Sequence, residues 1–584
     1  MGKPKAGFWV LVILVVLGLG AYAAYKAGIL LPPGTADKTD AISADELKKI
    51  KAGGGQAAAD AGKGGAEAPD ESSPTTKKEY SFVPSATLPP VTGTSGYKPM
   101  KDDTVRFAIN VWAGWAPIFY ANNGMRPGKV WSAPGGKKFK VELVLIDDPV
   151  AMRDAFATGN IHIGWATLDM IPLFLEGLRT DSRVMPRVYQ QIDWSNGGDG
   201  IVGRGIDNIG QLRGKKVVLA QNSPSHYFLL NALINAGEQP AEVNFKFTQD
   251  AFQAAAAFNA DKSLSAVVSW APDIYNLSKI PGNKLIVSTQ TANKLIADVW
   301  FARADFAKDY PEIMEGLVRG IFDAMEELKS DAAKQKVSEL MAKGYSLQPS
   351  EALGMLGDAH WTNFAENREF FLNQNNPANF ERTWETAYYL YKRIGQVKDK
   401  TNFDQVMDFS LIQKLGKEPK YATQRDEYTI NFAPKSVGAI KAESGEILTK
   451  TVVILFYPNS SDVTMKIEKT ENGKIIQALY DPNVPLVLEE IGKLAGQYGA
   501  ARIVIEGHTD SSMQGRVPVA AVQELSEARA NAVKTALLQK FKTLQPNQFA
   551  VQGMGWSVPA DPNDPLNQLK NRRVEIKVYP LEAQ

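Results

Sequence analysis

The chain has no cysteine among its 584 residues. That excludes disulfides, thiolate metal sites, cysteine nucleophiles and a lipoprotein-type lipid anchor. Histidine is almost as scarce, and His162, His226, His360 and His508 are far apart along the chain. No histidine cluster is therefore at hand for metal-dependent or nucleophilic catalysis, and neither a cofactor, a metal nor an enzymatic activity is expected. Excess charge of one sign is also missing. A net charge of +1 argues against the broad basic surface that nucleic acid requires. What is present is ordinary for globular protein, with 44% hydrophobic and 22% charged residues, and the length predicts several folded units rather than one core.

One uncharged apolar run stands out at residues 8–25, preceded by Lys3 and Lys5 and ended by Lys26. As a helix it spans about 27 Å, close to the ~30 Å of a bilayer core. Trp9, Tyr22 and Tyr25 sit near its ends, as interfacial anchors do. Two readings stay open. The length favours an uncleaved transmembrane anchor, whereas Ala21-Tyr22-Ala23 imitates the cleavage site of a signal peptide. Either way the remainder is exported, and the two lysines favour an N-terminus left in the cytoplasm.

The expected organisation is a cytoplasmic stub and anchor at 1–27, a flexible linker at 28–100, a first globular unit at 101–420, a second linker at 421–445 and a last unit at 446–584. The first linker has no aromatic residue between Gly34 and Glu79 and is Ala/Gly-rich around 51–69, a composition that cannot bury enough surface to fold. Beyond it, alternation at Val105, Phe107, Ile109 and Val111 predicts a strand. Further strand and helix signals alternate at 139–145, 149–157, 161–165, 215–220, 224–236 and 266–269, a βαβ rhythm that implies a parallel sheet covered by helices. In such sheets ligands lie beyond the carboxyl ends of the strands. The candidate solute-binding residues are therefore Trp112, Gly114 and Trp115, then Thr167 and Asp169, then Ser195 and Asp199, then Ser223, Ser225 and His226, and finally Trp270 and Asp273. Ser223 followed by Pro224 reads as an N-cap with proline at the first helical position, whose free N–H groups attract an anion. The acidic residues beside it suit an amine-bearing or zwitterionic solute equally well.

The opening segment at 105–117, the segment Asp193-Trp194-Ser195-Asn196-Gly197-Gly198-Asp199, the strand and helix around Leu212-Arg213-Gly214-Lys215-Lys216-Val217 and Ser225-His226-Tyr227, and the stretch Ala266-Val267-Val268-Ser269-Trp270-Ala271-Pro272 occur in that order. Together they resemble periplasmic solute-binding proteins of the aliphatic sulfonate, nitrate and taurine type. The resemblance implies a bilobed α/β domain of the periplasmic-binding-protein type II class that closes on a small-molecule solute and delivers it to an ABC permease.

In the last unit Ile505-Glu506-Gly507-His508-Thr509-Asp510, then Leu525-Ser526-Glu527-Ala528-Arg529-Ala530, then Asn571-Arg572-Arg573-Val574-Glu575-Ile576 resemble an OmpA-like peptidoglycan-binding domain, a small α/β sandwich. Its ligand would be the diaminopimelate of a peptidoglycan stem peptide, whose free end carries an ammonium and a carboxylate. One fixed carboxylate and one fixed guanidinium answer that chemistry, because arginine grips a carboxylate with two hydrogen bonds. By resemblance Asp510 and Arg529 are the pairing residues, with Thr509 and Arg573 in support. Val522 stands where the family usually has asparagine, and the loop 511–521 is a few residues longer than its pattern. The joint expectation is a single-pass inner-membrane protein of a Gram-negative-type envelope, with its bulk in the periplasm, that binds a solute and attaches to peptidoglycan. The alternatives are a membrane-to-wall linker with a ligand-inactive flytrap, an enzyme on the bilobed fold, and an ion-driven stator. The missing histidine cluster and cysteine argue against the enzyme. A stator needs an acid within its membrane helix, and residues 8–25 contain none.

Overall fold

A computed structural model describes residues 74–471 and 474–581. The expected anchor at 8–25 lies outside the described residues, among which no helix is long and apolar enough to cross a membrane.

Two sheets form the first unit. The first-lobe sheet runs Ala359–Trp361, Pro186–Ser195, Ala297–Arg303, Ile163–Thr167, Thr104–Ile109, Lys138–Leu145 and Val130–Ser132. The second-lobe sheet runs Phe82–Val83, Asn244–Thr248, Lys216–Ala220, Ala266–Trp270, Asp199–Arg204 and Asn283–Ser288. Both are mixed rather than parallel. Thr104–Ile109 pairs parallel with Lys138–Leu145 and Ile163–Thr167, as the βαβ rhythm predicts, but Ala297–Arg303 pairs antiparallel with both its neighbours. The strands that cross between lobes account for this, because a chain leaving one sheet and returning through the other enters it from the opposite end.

The two crossings, 195–199 and 288–297, are tied to each other. Ser195 Oγ donates to Asp199 Oδ2 at 2.8 Å and lies 2.9 Å from Thr289 Oγ1. Thr289 Oγ1 also accepts from the backbone N–H groups of Gly197 and Asp199. This knot places the ends of both sheets beside one another, where the solute cleft is expected.

Neither expected linker is free over its described part. Residues 74–99 run across both lobes. On the second lobe, Thr76 donates through its N–H and its hydroxyl to Asp273, and Phe82–Val83 adds an edge strand beside Asn244–Thr248. On the first lobe, Arg153 donates to the carbonyls of Pro89 and Pro90, and Lys98 N–H reaches the Gly159 carbonyl. The fully buried Arg153 guanidinium satisfies carbonyls that a proline-rich segment cannot pair by a ladder of its own. In the second stretch Tyr428 stacks on His360 at 3.8 Å between ring centroids, its hydroxyl donates to Asn196, and Val437–Glu443 is a helix.

The last unit is a four-stranded sheet ordered Leu448–Val452, Val574–Pro580, Ala501–His508 and Phe549–Gly555, backed by the helices Val484–Gln497 and Val519–Lys540. A hairpin of Lys466–Glu471 and Lys474–Leu479, not anticipated from sequence, stands apart from it. Its core merges with that of the first unit. Gln497 accepts from Asn231 at 3.0 Å and its carbonyl accepts from Lys294 N–H, Ile209 N–H donates to the Ile447 carbonyl, and Arg382 pairs with Glu489. The C-terminal unit thus touches the second lobe, the crossings and the C-terminal helices of the first lobe.

Candidate functional site

In the cleft, Trp112 follows the strand Thr104–Ile109 and donates its indole N–H to Asp193 at 3.1 Å. Gly114 and Gly198 make this arrangement possible. A Cβ on Gly114 would lie 1.6 Å from Asp193 Oδ2, and one on Gly198 would lie 2.6 Å from the Trp112 ring. Trp115, expected to face solute, is instead a core residue. It is fully buried, donates to Asn110 and meets Phe107 edge-to-face.

Thr167 and Asp169 end the strand Ile163–Thr167, and Asp169 Oδ2 accepts from Tyr391 at 3.1 Å. Asp298 lies opposite both Thr167 and Asp193 in register. Asp169, Asp193, Asp199 and Asp298 are thereby brought to one place. Burial comes first in raising each of them. Asp169 rises to about 6 and Asp199 to about 7, while Asp193 and Asp298 are raised together and share a hydrogen bond between their carboxyls. Asp193 and Asp298 belong to this group although only Asp169 and Asp199 are expected from the sequence; the alternation of a fully buried crossing strand does not mark which face meets the cleft.

The second-lobe candidates separate. Ser223 does stand before the helix Pro224–Asn235, but its side chain makes no cap and donates to the Ala220 carbonyl instead. Ser225 Oγ and His226 Nε2 are buried without a hydrogen-bond partner, and His226 Nδ1 accepts from Asn222 N–H. Burial pushes the His226 imidazole down to about 3. Trp270 packs edge-to-face on Phe252. Asp273 is taken up by Thr76 of the crossing segment, which corrects the expectation that it faces solute.

In the last unit a cavity of about 180 Å³ is lined by Phe456, Tyr480, His508, Arg529, Arg572 and Arg573, among others. None of residues 511–521 lines it, so the longer loop leaves it open. Arg529 lies over the Phe456 ring at 4.8 Å and donates to the Ser460 carbonyl. Burial, with help from the Arg572 charge, lowers the guanidinium to about 10 against the pull of Asp510. Asp510 accepts from Arg572 Nε at 2.5 Å and from Ser512 N–H at 2.9 Å. Burial pushes Asp510 up, but these bonds outweigh it and hold its carboxyl below the usual range. Arg573, the expected supporting residue, turns to Glu575 and the Val558 carbonyl; its neighbour Arg572 takes the acid. The Thr509 hydroxyl is buried without a partner.

Glu506, His508 and Glu575 bring three candidate ligand atoms within 4.8 Å of one another. Their carboxylates are already held by Lys441, Lys577 and Arg573. Three cations thus balance the group, and it carries no metal assignment.

Residues 455–573 match the model of the OmpA family. A taurine-binding periplasmic protein of Escherichia coli (strain K12) is 26% identical over 184 residues, 31% of this chain and 55% of that protein, so the chain spans about half the length of this relative. Among solved structures, a periplasmic sulfonate-binding protein SsuA from Methylobacillus flagellatus KT is 20% identical with a TM-score of 0.42, covering 56% of this chain and 98% of that one. The desulfurization enzyme DSZB is 16% identical with a TM-score of 0.38, covering 53% and 98%. The chain thus joins, in one polypeptide, a C-terminal OmpA-family domain to a preceding region similar in sequence to a taurine-binding periplasmic protein.

Proposed function

We propose that this protein is held at the inner membrane by its N-terminal segment, binds a small solute between two lobes, passes it to an ABC permease and attaches to peptidoglycan through its C-terminal domain. Taurine, named for the relative, is the first candidate solute. The observation that carries the wall-binding half is the cavity lined by Arg529 and Arg572 with an ionised Asp510 beside it. A diaminopimelate head group offers the carboxylate that a guanidinium grips and the ammonium that an aspartate accepts. Thr509, with its buried unpartnered hydroxyl, is a further contact, and Arg573 supports the site by holding Glu575. Co-sedimentation of the purified protein with peptidoglycan tests this. The protein pellets with the wall if the reading holds, and stays in the supernatant if it does not.

A second reading, a membrane-to-wall linker whose flytrap binds nothing, is favoured by one observation: residues 74–99 and the C-terminal domain each touch both lobes. The two readings part on whether any small solute raises the melting temperature, since a ligand of the folded state alone stabilises it by RT ln(1 + [L]/Kd).

A further inference from the structure

The relatives are named for sulfonates and taurine, yet the cleft is acidic. Asp169, Asp193, Asp199 and Asp298 are each 5% exposed or less. Asp199 feels Asp169 and Asp358; Asp298 feels Asp193, Asp199 and Asp169; of the described residues, no lysine or arginine is among the groups acting on any of the four. Buried carboxylates normally have a cation or a full set of donors, because stripping their hydration is expensive. Asp193 and Asp298 answer this between themselves through the hydrogen bond they share, with Trp112 as an added donor. Asp169 and Asp199 do not. Asp199 has a single hydroxyl on its side chain, from Ser195, and Asp169 has that of Tyr391, with the Thr167 hydroxyl and its own N–H also acting on it, all of them neutral donors.

A second observation converges on the same place. The hydroxyls of Tyr227 and Tyr498 are fully buried and make no hydrogen bond. Asp169 and Tyr498 both act on the Tyr227 phenol, and Asp169 and Tyr227 both act on Tyr391. Asp169 and Tyr391 belong to the first-lobe side, Tyr227 to the helix Pro224–Asn235 of the second lobe, and Tyr498 to the C-terminal domain. A carboxylate bonded by one phenol, with a second phenol in its field and a third beside that one, is a setting for an organic cation, which aromatic faces attract and hydroxyl oxygens accept from.

We infer that the cleft recognises its solute by an ammonium group, received by Asp169 and Asp199 and enclosed by Tyr227, Tyr391 and the C-terminal domain's Tyr498. This rests on the solute-binding reading and names the chemistry of that site. A sulfonate, where the solute has one, meets no side-chain cation at these four acids; the N-terminus of Pro224–Asn235, with the unpartnered Ser225 hydroxyl, is the group left for it.

Three probes of similar size separate the possibilities when titrated calorimetrically into the full chain near neutral pH: taurine (amine and sulfonate), ethylenediamine (amine alone) and ethanesulfonate (sulfonate alone). Taurine and ethylenediamine bind and ethanesulfonate does not if the inference holds. Asp169→Asn and Asp199→Asn, which keep side-chain shape and remove charge, each weaken amine binding at least about tenfold. Tyr391→Phe, which removes a single hydroxyl, weakens it as well and guards against a folding artefact in the aspartate variants. Binding of ethanesulfonate as tight as that of taurine, or unchanged amine affinity in both aspartate variants, overturns the ammonium assignment while solute binding stands. Absence of binding by all three overturns both.

Discussion

Arg572 Nε donates to Asp510 Oδ2 at 2.5 Å, so the acid that resemblance pairs with Arg529 is already held by another guanidinium. Arg529 is left facing Phe456 and the Ser460 carbonyl, its charge unmatched by any direct ion pair among the described residues. A pocket with one acid committed and one guanidinium uncommitted is poised for an incoming carboxylate at Arg529. The ammonium of the same head group would share Asp510 with Arg572.

From this, Arg529→Ala and Asp510→Ala each abolish co-sedimentation with purified peptidoglycan, because loss of one buried charged partner costs about 2–5 kcal/mol. Arg529→Lys does not restore it, since an ammonium cannot make the two parallel bonds of a guanidinium. Unchanged pelleting of both alanine variants would remove the pocket from the wall-binding role.

The motif around Asp510 was legible because strand, turn and helix each carry a distinctive word, yet which of two adjacent arginines meets the acid was not. Arg572 and Arg573 are consecutive at the entrance to the strand Val574–Pro580, and successive side chains there point to opposite sides. A string of letters does not reveal that parity at a strand end. Asp193 and Asp298 were missed for a related reason: both lie in strands buried on two faces, where no alternation marks the side that meets the cleft. Residues 74–99 fall in the expected linker because Pro84, Pro89, Pro90, Gly93 and Gly96 punctuate them. Their attachment comes from main-chain carbonyls and N–H groups taken up by Arg153, Asp273 and the edge of a sheet, none of which leaves a hydrophobic pattern. Tyr498, far along the chain from the cleft residues, reaches them only through docking of the C-terminal domain.

The buried acids predict how stability depends on pH. Asp199 titrates at about 7, and the Asp193–Asp298 pair is raised as well, burial being the first cause in each case. In the unfolded chain these groups have already released their protons near pH 4. The folded state therefore binds more protons than the unfolded state through neutrality, and its stability falls as pH rises. His226, His162 and His508 are all lowered by burial and stay neutral, so none opposes the trend above the ordinary histidine range. Thermal melts of the ligand-free protein should show a falling midpoint from about pH 7.5 to about 8.5, and Asp298→Asn should flatten the slope. A midpoint constant or rising over this window would contradict the shared-proton pair.

Arg153→Ala should loosen the segment that crosses the cleft. The substitution leaves the Pro89 and Pro90 carbonyls without their donor, at about 1–3 kcal/mol for the group. Limited proteolysis should then cut within residues 84–99 much faster than in the parent chain, with the rest of the digestion pattern unchanged. Equal cutting rates would mean that the edge strand at Phe82–Val83 and the Lys98–Gly159 bond hold the segment on their own.

Docking of the C-terminal domain turns on Gly496. A Cβ there would lie 2.5 Å from Pro377 Cγ and 3.2 Å from Ala378 N, and neither a proline ring nor a backbone nitrogen can swing aside. Gly496→Val therefore forces the helix Val484–Gln497 away from the first lobe at about 1–3 kcal/mol, dragging the neighbouring Gln497 from Asn231 and Tyr498 from Tyr227. In the parent chain the merged core should melt as one calorimetric transition; in the variant the two units should melt separately. Amine binding should weaken with the same substitution, because the wall that Tyr498 contributes is withdrawn, whereas peptidoglycan co-sedimentation should persist, because the pocket at Arg529 lies within one domain. Loss of wall binding together with solute binding would instead point to general unfolding, and a single transition with full amine affinity would show that the glycine is not what holds the domains together.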